Sequence, residues 1–160
     1  MIRTAEPADA AALCSIYNYY VRERAVTFEE TPVTVEEMEG RVAGIGAAYP
    51  FFTSWEGGEL RGFAYANKWR DRSAYRFSAE ATVYLKRGLE GRGLGTELFG
   101  HLIGALKETE LHALISAVTV PNERSAALHR KFGFKRIAVF NEVGFKLGKW
   151  LDVEYWELLL

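Results

Sequence analysis

A glycine-rich loop in the middle of the chain has the composition of an anion-binding site. Residues 90–95 read Glu-Gly-Arg-Gly-Leu-Gly, follow a predicted strand and precede a predicted helix. Backbone N–H groups and the positive end of the helix dipole would converge there, and glycine lets the main chain approach a phosphate closely. The spacing matches neither a Walker loop nor Gly-x-Gly-x-x-Gly. The loop therefore predicts a phosphate site of another class, with a flexible turn as the alternative.

One carboxylate and one imidazole are the candidate groups for moving protons. Glu80 has apolar neighbours in sequence, and partial desolvation would favour its neutral form and bring it nearer to a useful base. His129 follows Asn122 and Ser125 on one face of a short predicted helix. The structural alternatives are a solvated or salt-bridged Glu80, a locally packed His129 and an Asn122 that only caps its helix.

Two arginines and two aromatic residues stand just before the strand that carries Glu80. The segment 69–75 reads Trp-Arg-Asp-Arg-Ser-Ala-Tyr. Arg72 can hold a carboxylate through two parallel N–H bonds, and Arg70 can attract a second polar oxygen group. The alternative is that both arginines are solvated loop charges, with Asp71 as partner.

Length and composition indicate one globular domain spanning 1–160. The chain has 160 residues, 49% hydrophobic and 26% charged, which is ordinary for such a domain. Lys and Arg total 20 against 21 Asp and Glu, so no basic field for nucleic acid is present. No apolar signal segment or membrane-length run is found, which predicts no membrane partner and a cytoplasmic location. No cluster has convincing metal-ligand spacing, so no metal is expected.

The elements that would position these residues alternate between strands and helices. Apolar spacing and turn signals predict strands at 2–4, 51–56, 59–69, 75–86 and 113–120, helices at 7–23, 35–48, 96–108 and 122–133, and a final hairpin over 134–160. The final hairpin carries two glycines around Lys146, and Thr34 with Glu37 has the spacing of a capping box. The order β-α-α-β-β-β-α-β-α-β-β predicts an α/β fold with a mixed sheet covered by helices.

The sequence resembles the GCN5-related N-acetyltransferases (GNAT), whose signature is a Gln/Arg-x-x-Gly-x-Gly/Ala loop that binds the pyrophosphate of coenzyme A. The matching residues are 90–95, with Glu90 in place of Gln or Arg, and we expect Glu90 to point outward. The resemblance narrows to the phosphinothricin and methionine sulfoximine/sulfone acetyltransferase branch through stretches spread over most of the chain. These are 28–32 (Phe-Glu-Glu-Thr-Pro), 63–66 (Phe-Ala-Tyr-Ala), 69–75, 79–84 (Ala-Glu-Ala-Thr-Val-Tyr), 122–129 (Asn-x-x-Ser-x-x-Leu-His), 143–146 (Val-Gly-Phe-Lys) and 150–153 (Trp-Leu-Asp-Val).

The resemblance implies a fold, a co-substrate and a set of site residues. It implies a GNAT-type, splayed central sheet in which acetyl-CoA lies between two parallel strands. Glu80 matches the family's proposed general base, acting directly or through water, and His129 stands where many relatives carry a Tyr as general acid for the thiolate. The implied cofactor-binding residues are Val83, Tyr84, Leu85, Gly91, Arg92, Gly93, Leu94, Gly95, Thr96, Asn122 and Ser125. The implied substrate-binding residues are Phe28, Trp69, Arg72 and Tyr75.

The same resemblance implies the reaction and the assembly. The expected activity is direct acetyl transfer to the α-amino group of a small amino-acid-like molecule, such as phosphinothricin or methionine sulfoximine/sulfone. A homodimer is implied, and the apolar stretch 156–160 suits either an interface or ordinary core. A non-catalytic CoA-binding module is one alternative, against which Glu80 and His129 argue. A peptide or protein amine acetyltransferase is the other, and it would need an open groove, whereas Phe28, Trp69, Arg72 and Tyr75 suggest a closed pocket.

Overall fold

The computed structural model describes all residues from 1 to 160. Its strands are β1 (Ile2–Thr4), β2 (Phe51–Glu56), β3 (Glu59–Lys68), β4 (Ser78–Leu85), β5 (Ala113–Thr119), β6 (Lys135–Lys146) and β7 (Lys149–Leu159). Its helices are α1 (Ala10–Glu23), α2 (Val35–Gly46), α3 (Leu94–Lys107) and α4 (Glu123–Lys131), with short 3-10 turns at Pro7–Asp9 and Ser73–Tyr75. The order of strands and α-helices is the one that the sequence predicts.

All seven strands form one mixed sheet in the order β1-β2-β3-β4-β5-β7-β6. Every neighbouring pair is antiparallel except β4 and β5, which are parallel and pair only from Ser78–Glu80 to 113–115. One further bond follows, from the Ser116 hydroxyl to the Ala81 carbonyl at 2.8 Å. Beyond it the two strands separate, so the splayed mixed sheet is confirmed.

The helix ends follow local sequence signals. The capping box is present, because the Glu37 amide donates to the Thr34 hydroxyl at 3.1 Å and the Thr34 amide to the Glu37 carboxylate at 2.8 Å. The helix predicted at 96–108 begins earlier, at Leu94, because Gly93 takes a left-handed φ of 88° and serves as its N-cap. The helix predicted from residue 7 begins at Ala10, after a 3-10 turn.

Each face of the sheet carries its own apolar core. Phe63 and Tyr84 belong to the cluster under α1 and α2, whereas Ala64 and Ala81 belong to the cluster under α3, as the two-residue strand period requires. Fully buried side chains such as Leu13 each stabilise the fold by roughly 1.5–3 kcal/mol. Glu80 shares the face of Tyr84 and so points toward α1 and α2. None of the helices has the length and hydropathy of a membrane-spanning segment.

The final hairpin differs in detail from the prediction. Its turn falls at Leu147 and Gly148, whose φ angles are 53° and 73°, whereas Lys146 ends β6 as a buried side chain. The β6–β7 register shifts between Phe140 and Gly144, where β6 bulges. This bulge directs the second half of β6 toward the N-terminal helices.

Candidate functional site

The separation of β4 from β5 opens two cavities that meet. One, the acceptor cavity, has a volume of about 450 Å³, and the other, the cofactor cavity, about 630 Å³. Both cavities are lined by Val26, Val83, Tyr84, Asn122 and Ser125. A molecule lying in the cofactor cavity can therefore extend one end into the acceptor cavity.

Glu80 lines the acceptor cavity as a half-buried carboxylate on β4. It has neither a hydrogen bond nor an ion pair within the protein, and burial alone raises the pKa of its carboxyl group. The salt-bridged alternative for Glu80 is therefore wrong. A carboxylate that is desolvated, unpaired and open to a cavity can accept a proton from a bound group.

Three tyrosines line the acceptor cavity together with Glu80, and the sequence had indicated only one of them, Tyr84, for its backbone. Tyr17, Tyr65 and Tyr84 all line the acceptor cavity, and Tyr65 lies directly opposite Thr82 in the β3–β4 register. Burial raises the pKa of Tyr17 to about 12 and the pKa of Tyr65 and Tyr84 as well, so all three remain hydroxyl donors at neutral pH. The antiparallel pairing of β3 with β4 would by itself have placed Tyr65 beside the strand that carries Glu80.

His129 is buried and lines the acceptor cavity. Its Nδ1 lies 2.7 Å from the Ser125 carbonyl, which can only accept, so Nδ1 carries the hydrogen. Nε2 is then an unprotonated acceptor, and it has no partner within the protein. Burial lowers the pKa of the imidazole, so the neutral form is favoured. Packing against Phe99, Phe134 and Trp156 fixes the ring, and local packing thus accompanies the cavity-facing position.

The first turn of α4 joins the two cavities. Asn122 caps the helix, accepting from the Ser125 amide at 3.1 Å, as its sequence position predicts. Asn122 and Ser125 also line both cavities, so the capping role and a cavity role coexist. No group of three or more His, Cys, Asp and Glu side chains is placed to hold a metal ion.

The glycine-rich loop forms one wall of the cofactor cavity. Gly91, Gly93, Gly95 and Thr96 line it, and the first two have φ angles of 76° and 88°. The remaining predicted loop residues, Arg92 and Leu94, lie outside the lining. Open glycine backbone at the N-terminus of α3 gives this wall the geometry of an anion site.

Glu90 departs from its expected outward orientation. Its side chain is half-buried, lines the cofactor cavity and accepts the Gly88 amide at 2.8 Å. The tight turn leaves the Gly88 amide without a backbone partner, so the Glu90 carboxylate turns inward to accept from it.

Three cations that the sequence analysis missed also line the cofactor cavity. Arg24, Arg124 and Lys131 line the same cavity. Arg124 and Lys131 are seven residues apart and therefore share a helix face with Leu128, a signal that could have identified them. Tyr20, also in the lining, donates to the Leu85 carbonyl at 2.6 Å.

The β4 segment from Val83 to Leu85 presents one unpaired edge to the opening. Its antiparallel partner β3 satisfies the other edge up to Leu85, whereas the pairing with β5 has ended at Glu80. Apart from the Leu85 carbonyl, which accepts from Tyr20, backbone groups on the open edge are free to contact a bound molecule.

Only one of the four predicted substrate residues lines the acceptor cavity. Phe28 lines it. Trp69 does not, but its ring packs edge-on against Tyr155, which does, with ring centroids 5.7 Å apart. Arg72 and Tyr75 are exposed at the 3-10 turn before β4 and lie outside the lining.

Comparisons with known proteins agree with this geometry. Residues 2–155 match the family model described as an acetyltransferase (GNAT) domain. The chain is 36% identical over 160 residues, 98% of this chain and 94% of the relative, to a phosphinothricin N-acetyltransferase of Streptomyces coelicolor. It is 32% identical, over 99% of this chain and 94% of the relative, to an L-methionine sulfoximine/L-methionine sulfone acetyltransferase of Salmonella typhimurium.

Solved structures also match the whole chain. A phosphinothricin acetyltransferase from Sinorhizobium meliloti in complex with acetyl-CoA superposes with a TM-score of 0.96 at 33% identity, covering 88% of that chain. A ribosomal-protein-alanine N-acetyltransferase from Brucella melitensis superposes with a TM-score of 0.97 at 32% identity, covering 99% of that chain.

Proposed function

This chain belongs to the GNAT acetyltransferase family, and from that premise we propose that it transfers the acetyl group of acetyl-CoA to the α-amino group of a small amino-acid-like substrate. The observation that carries the proposal is Glu80, an unpaired, half-buried carboxylate in an acceptor cavity that is continuous with a cofactor cavity. The names of the relatives from Streptomyces and Salmonella support phosphinothricin and methionine sulfoximine or sulfone as substrate candidates.

In this proposal the cofactor cavity holds coenzyme A and directs the thioester into the acceptor cavity. The amides of Gly91 and Gly93, with Arg24 and Arg124, face the pyrophosphate and phosphate groups. The open edge of β4 at Val83–Leu85 donates to the acetyl carbonyl and stabilises the negative charge that develops on its oxygen.

Glu80 and His129 divide the proton transfers. Glu80 removes a proton from the substrate ammonium, directly or through water, so that the nitrogen lone pair can attack the carbonyl carbon. When the carbon–sulfur bond breaks, the thiolate needs a proton. The substrate nitrogen releases a second proton as it becomes an amide, and His129 Nε2, which bears no hydrogen in the tautomer that its hydrogen bond fixes, would accept that proton and pass it to the thiolate.

A thiol-release assay with a panel of amines tests the proposed function. We expect acetylation of at least one of phosphinothricin, methionine sulfoximine and methionine sulfone in preference to plain methionine or glutamate. The panel includes an alanine-terminated peptide, because the protein from Brucella is a ribosomal-protein-alanine N-acetyltransferase. Turnover of the peptide with none of the amino acids would replace the small-molecule assignment by protein acetylation.

Arg72→Ala is expected to raise KM for the amino-acid substrate strongly while leaving KM for acetyl-CoA unchanged. Arg72 is exposed outside the cavity lining and has no ion pair, since its neighbour Asp71 pairs with Lys68 at 3.5 Å. It is therefore available to the carboxylate of a substrate that extends beyond the cavity, which it can hold through two N–H bonds. Trp69 and Tyr75 flank it and would contact the same molecule. Steady-state kinetics check this, with Arg22→Ala, at an exposed arginine outside both cavities, as the control. An Arg72→Ala variant with unchanged KM would leave Arg72 as a solvated charge.

A homodimer is the second part of the proposal. Apolar side chains lie exposed on the β6–β7 hairpin at the edge of the sheet, and we name this surface the hairpin patch. Its members are Ile137, Val139, Phe140, Val143, Phe145, Leu147 and Trp150, each at least 43% exposed. Exposed apolar surface on an edge strand favours association with a second copy, and sedimentation would show a monomer if this is wrong. We also propose a cytoplasmic location, which suits the single free thiol of Cys14.

A further inference from the structure

The segment 24–34 covers the acceptor cavity, and we name it the roof segment. Val26, Thr27 and Phe28 line that cavity, although the segment is neither helix nor strand. Its position therefore depends on the side chains that hold it.

Side chains of α1 and α2 hold the roof segment from the N-terminal side. Asn18 forms two 2.8 Å bonds with the backbone of Val33. Arg41 holds Glu29 through two bonds of 2.5 and 2.8 Å, and Tyr17 bonds both Thr27 and Glu29. These contacts hold the roof segment at Thr27, Glu29 and Val33.

Lys146 of β6 holds the centre of the roof segment from the opposite side. Only 3% of it is exposed, and its ammonium donates to the Thr27 carbonyl at 2.6 Å and to the Tyr20 carbonyl at 3.3 Å. A buried ammonium is costly unless it is bonded, so these two carbonyls and the neighbouring Glu29 and Glu30 charges are what make its position tenable.

Gly144, two residues earlier on the same strand, makes room for the Phe28 ring. A Cβ built on Gly144 would have three atoms of that ring within 3.0 Å, and they are its nearest neighbours. The φ angle of Gly144 is not left-handed, so the position needs glycine for space and not for conformation. The β6 bulge that brings Gly144 there is held by Asp152, which accepts the Glu142 amide at 2.7 Å.

We propose that Gly144 and Lys146 are positioning residues for the acceptor substrate. They contact neither the proposed base nor the glycine-rich loop. The absence of a side chain at Gly144 determines how closely the Phe28 ring packs against β6, and the hydrogen bond from Lys146 determines the position of Thr27. Together the two residues fix the part of the roof segment that covers the bound amino acid. The inference rests on the proposed function, because it assigns these residues to the acceptor side of the same reaction.

Gly144→Ala tests the inference through a split between kinetic constants. The added methyl displaces the Phe28 ring, and misplacement of a substrate contact by about an ångström is costly. We expect KM for the accepted amino acid to rise roughly tenfold or more, with kcat and KM for acetyl-CoA within about twofold of the parent. Gly104→Ala is the control, because nothing lies within 4 Å of a Cβ at Gly104. Equal increases in both KM values would overturn the inference.

A double-mutant cycle with Phe28→Ala makes the test specific. Once the ring is gone, Gly144→Ala has nothing to displace, so it should add no further increase in KM to that of Phe28→Ala. Additive effects of the two changes would show that Gly144 does not act through Phe28. If the parent protein acetylates no amino acid while acetyl-CoA still raises its Tm, the proposed function has failed before the cycle is run.

Lys146→Met and Lys146→Arg give an independent readout. Methionine keeps the unbranched shape and most of the length of the side chain and loses both bonds, so KM for the amino acid should rise while acetyl-CoA still stabilises the variant thermally. Arginine keeps the donors and should restore part of the lost affinity. If the methionine variant does not fold, the double-mutant cycle of Gly144→Ala with Phe28→Ala still tests the inference. A folded methionine variant with parental KM would exclude Lys146 from the positioning role.

Discussion

Glu80→Gln is expected to lower kcat by roughly 10²- to 10⁴-fold, the range typical of losing a general base, with little change in acetyl-CoA affinity. Glutamine keeps the shape of the side chain and cannot take up a proton. The parental rate should fall as pH drops through the pKa of Glu80, which burial raises above its ordinary value. The deficit of the variant should shrink as pH rises, because more of the amine is then already neutral. A pH–rate profile of both proteins measures this.

Thermal stability separates this catalytic role from a structural one. Because the folded-state pKa of Glu80 is raised, folding favours its protonated form, and the ionised form disfavours the native state above that pKa. Glu80→Gln should therefore be as stable at neutral pH as the parent, or more so. Glu157→Gln, another half-buried strand carboxylate outside both cavities, is the control and should keep full activity. An unchanged rate for Glu80→Gln at every pH would make Glu80 a structural residue.

Gly93→Asp is expected to abolish most of the stabilisation that acetyl-CoA gives the protein. The change forces a non-glycine residue into a φ of 88°, where an L side chain costs roughly 1–2 kcal/mol, and it adds a negative charge to the phosphate wall. If Kd rises about 100-fold, a gain of about 2.7 kcal/mol at 100 Kd falls to about 0.4 kcal/mol. Thermal unfolding with and without acetyl-CoA measures the difference.

Gly58→Asp is the matched control for that variant. Gly58 has a φ of 80° with open space around it, and it lies in the β2–β3 turn, outside both cavities. The variant therefore carries the same strain and charge, and should lose intrinsic stability but keep the full shift in Tm on adding acetyl-CoA. Equal shifts for Gly93→Asp and the parent would mean that the loop does not bind the cofactor.

Features governed by near neighbours in the chain could be predicted from the sequence. The capping box of Thr34 and Glu37 needs only three residues of separation, and the two-residue period of β4 places Glu80 and Tyr84 on one face. The glycine-rich loop was identified for the same reason, since strand, glycines and helix follow each other directly. Such signals determine elements and their order.

The acceptor cavity could not be predicted in this way, because its roof is made by residues far apart in sequence. Lys146 contacts Thr27 across 119 residues, and no periodicity in either segment indicates that contact. The outward orientation predicted for Glu90 was wrong for a related reason. Its carboxylate accepts from the Gly88 amide, which lacks a backbone partner only once the turn has folded. The path of segment 69–75, which leaves Arg72 outside the cavity lining, likewise depends on a 3-10 turn without a strong sequence signal.

The position of β7 in the sheet has a consequence for synthesis on the ribosome. β7 is made after the other six strands, yet it lies between β5 and β6. Until it is translated, β5 has an open edge, β6 has no partner, and the Lys146 end of β6 has no strand to hold it against the roof segment. Such late, non-local pairing slows folding and exposes strand edges meanwhile. The cofactor wall can thus assemble before β7 is translated, whereas the acceptor side is complete only once β7 has paired with both β5 and β6, and those two strand edges are open to aggregation until then.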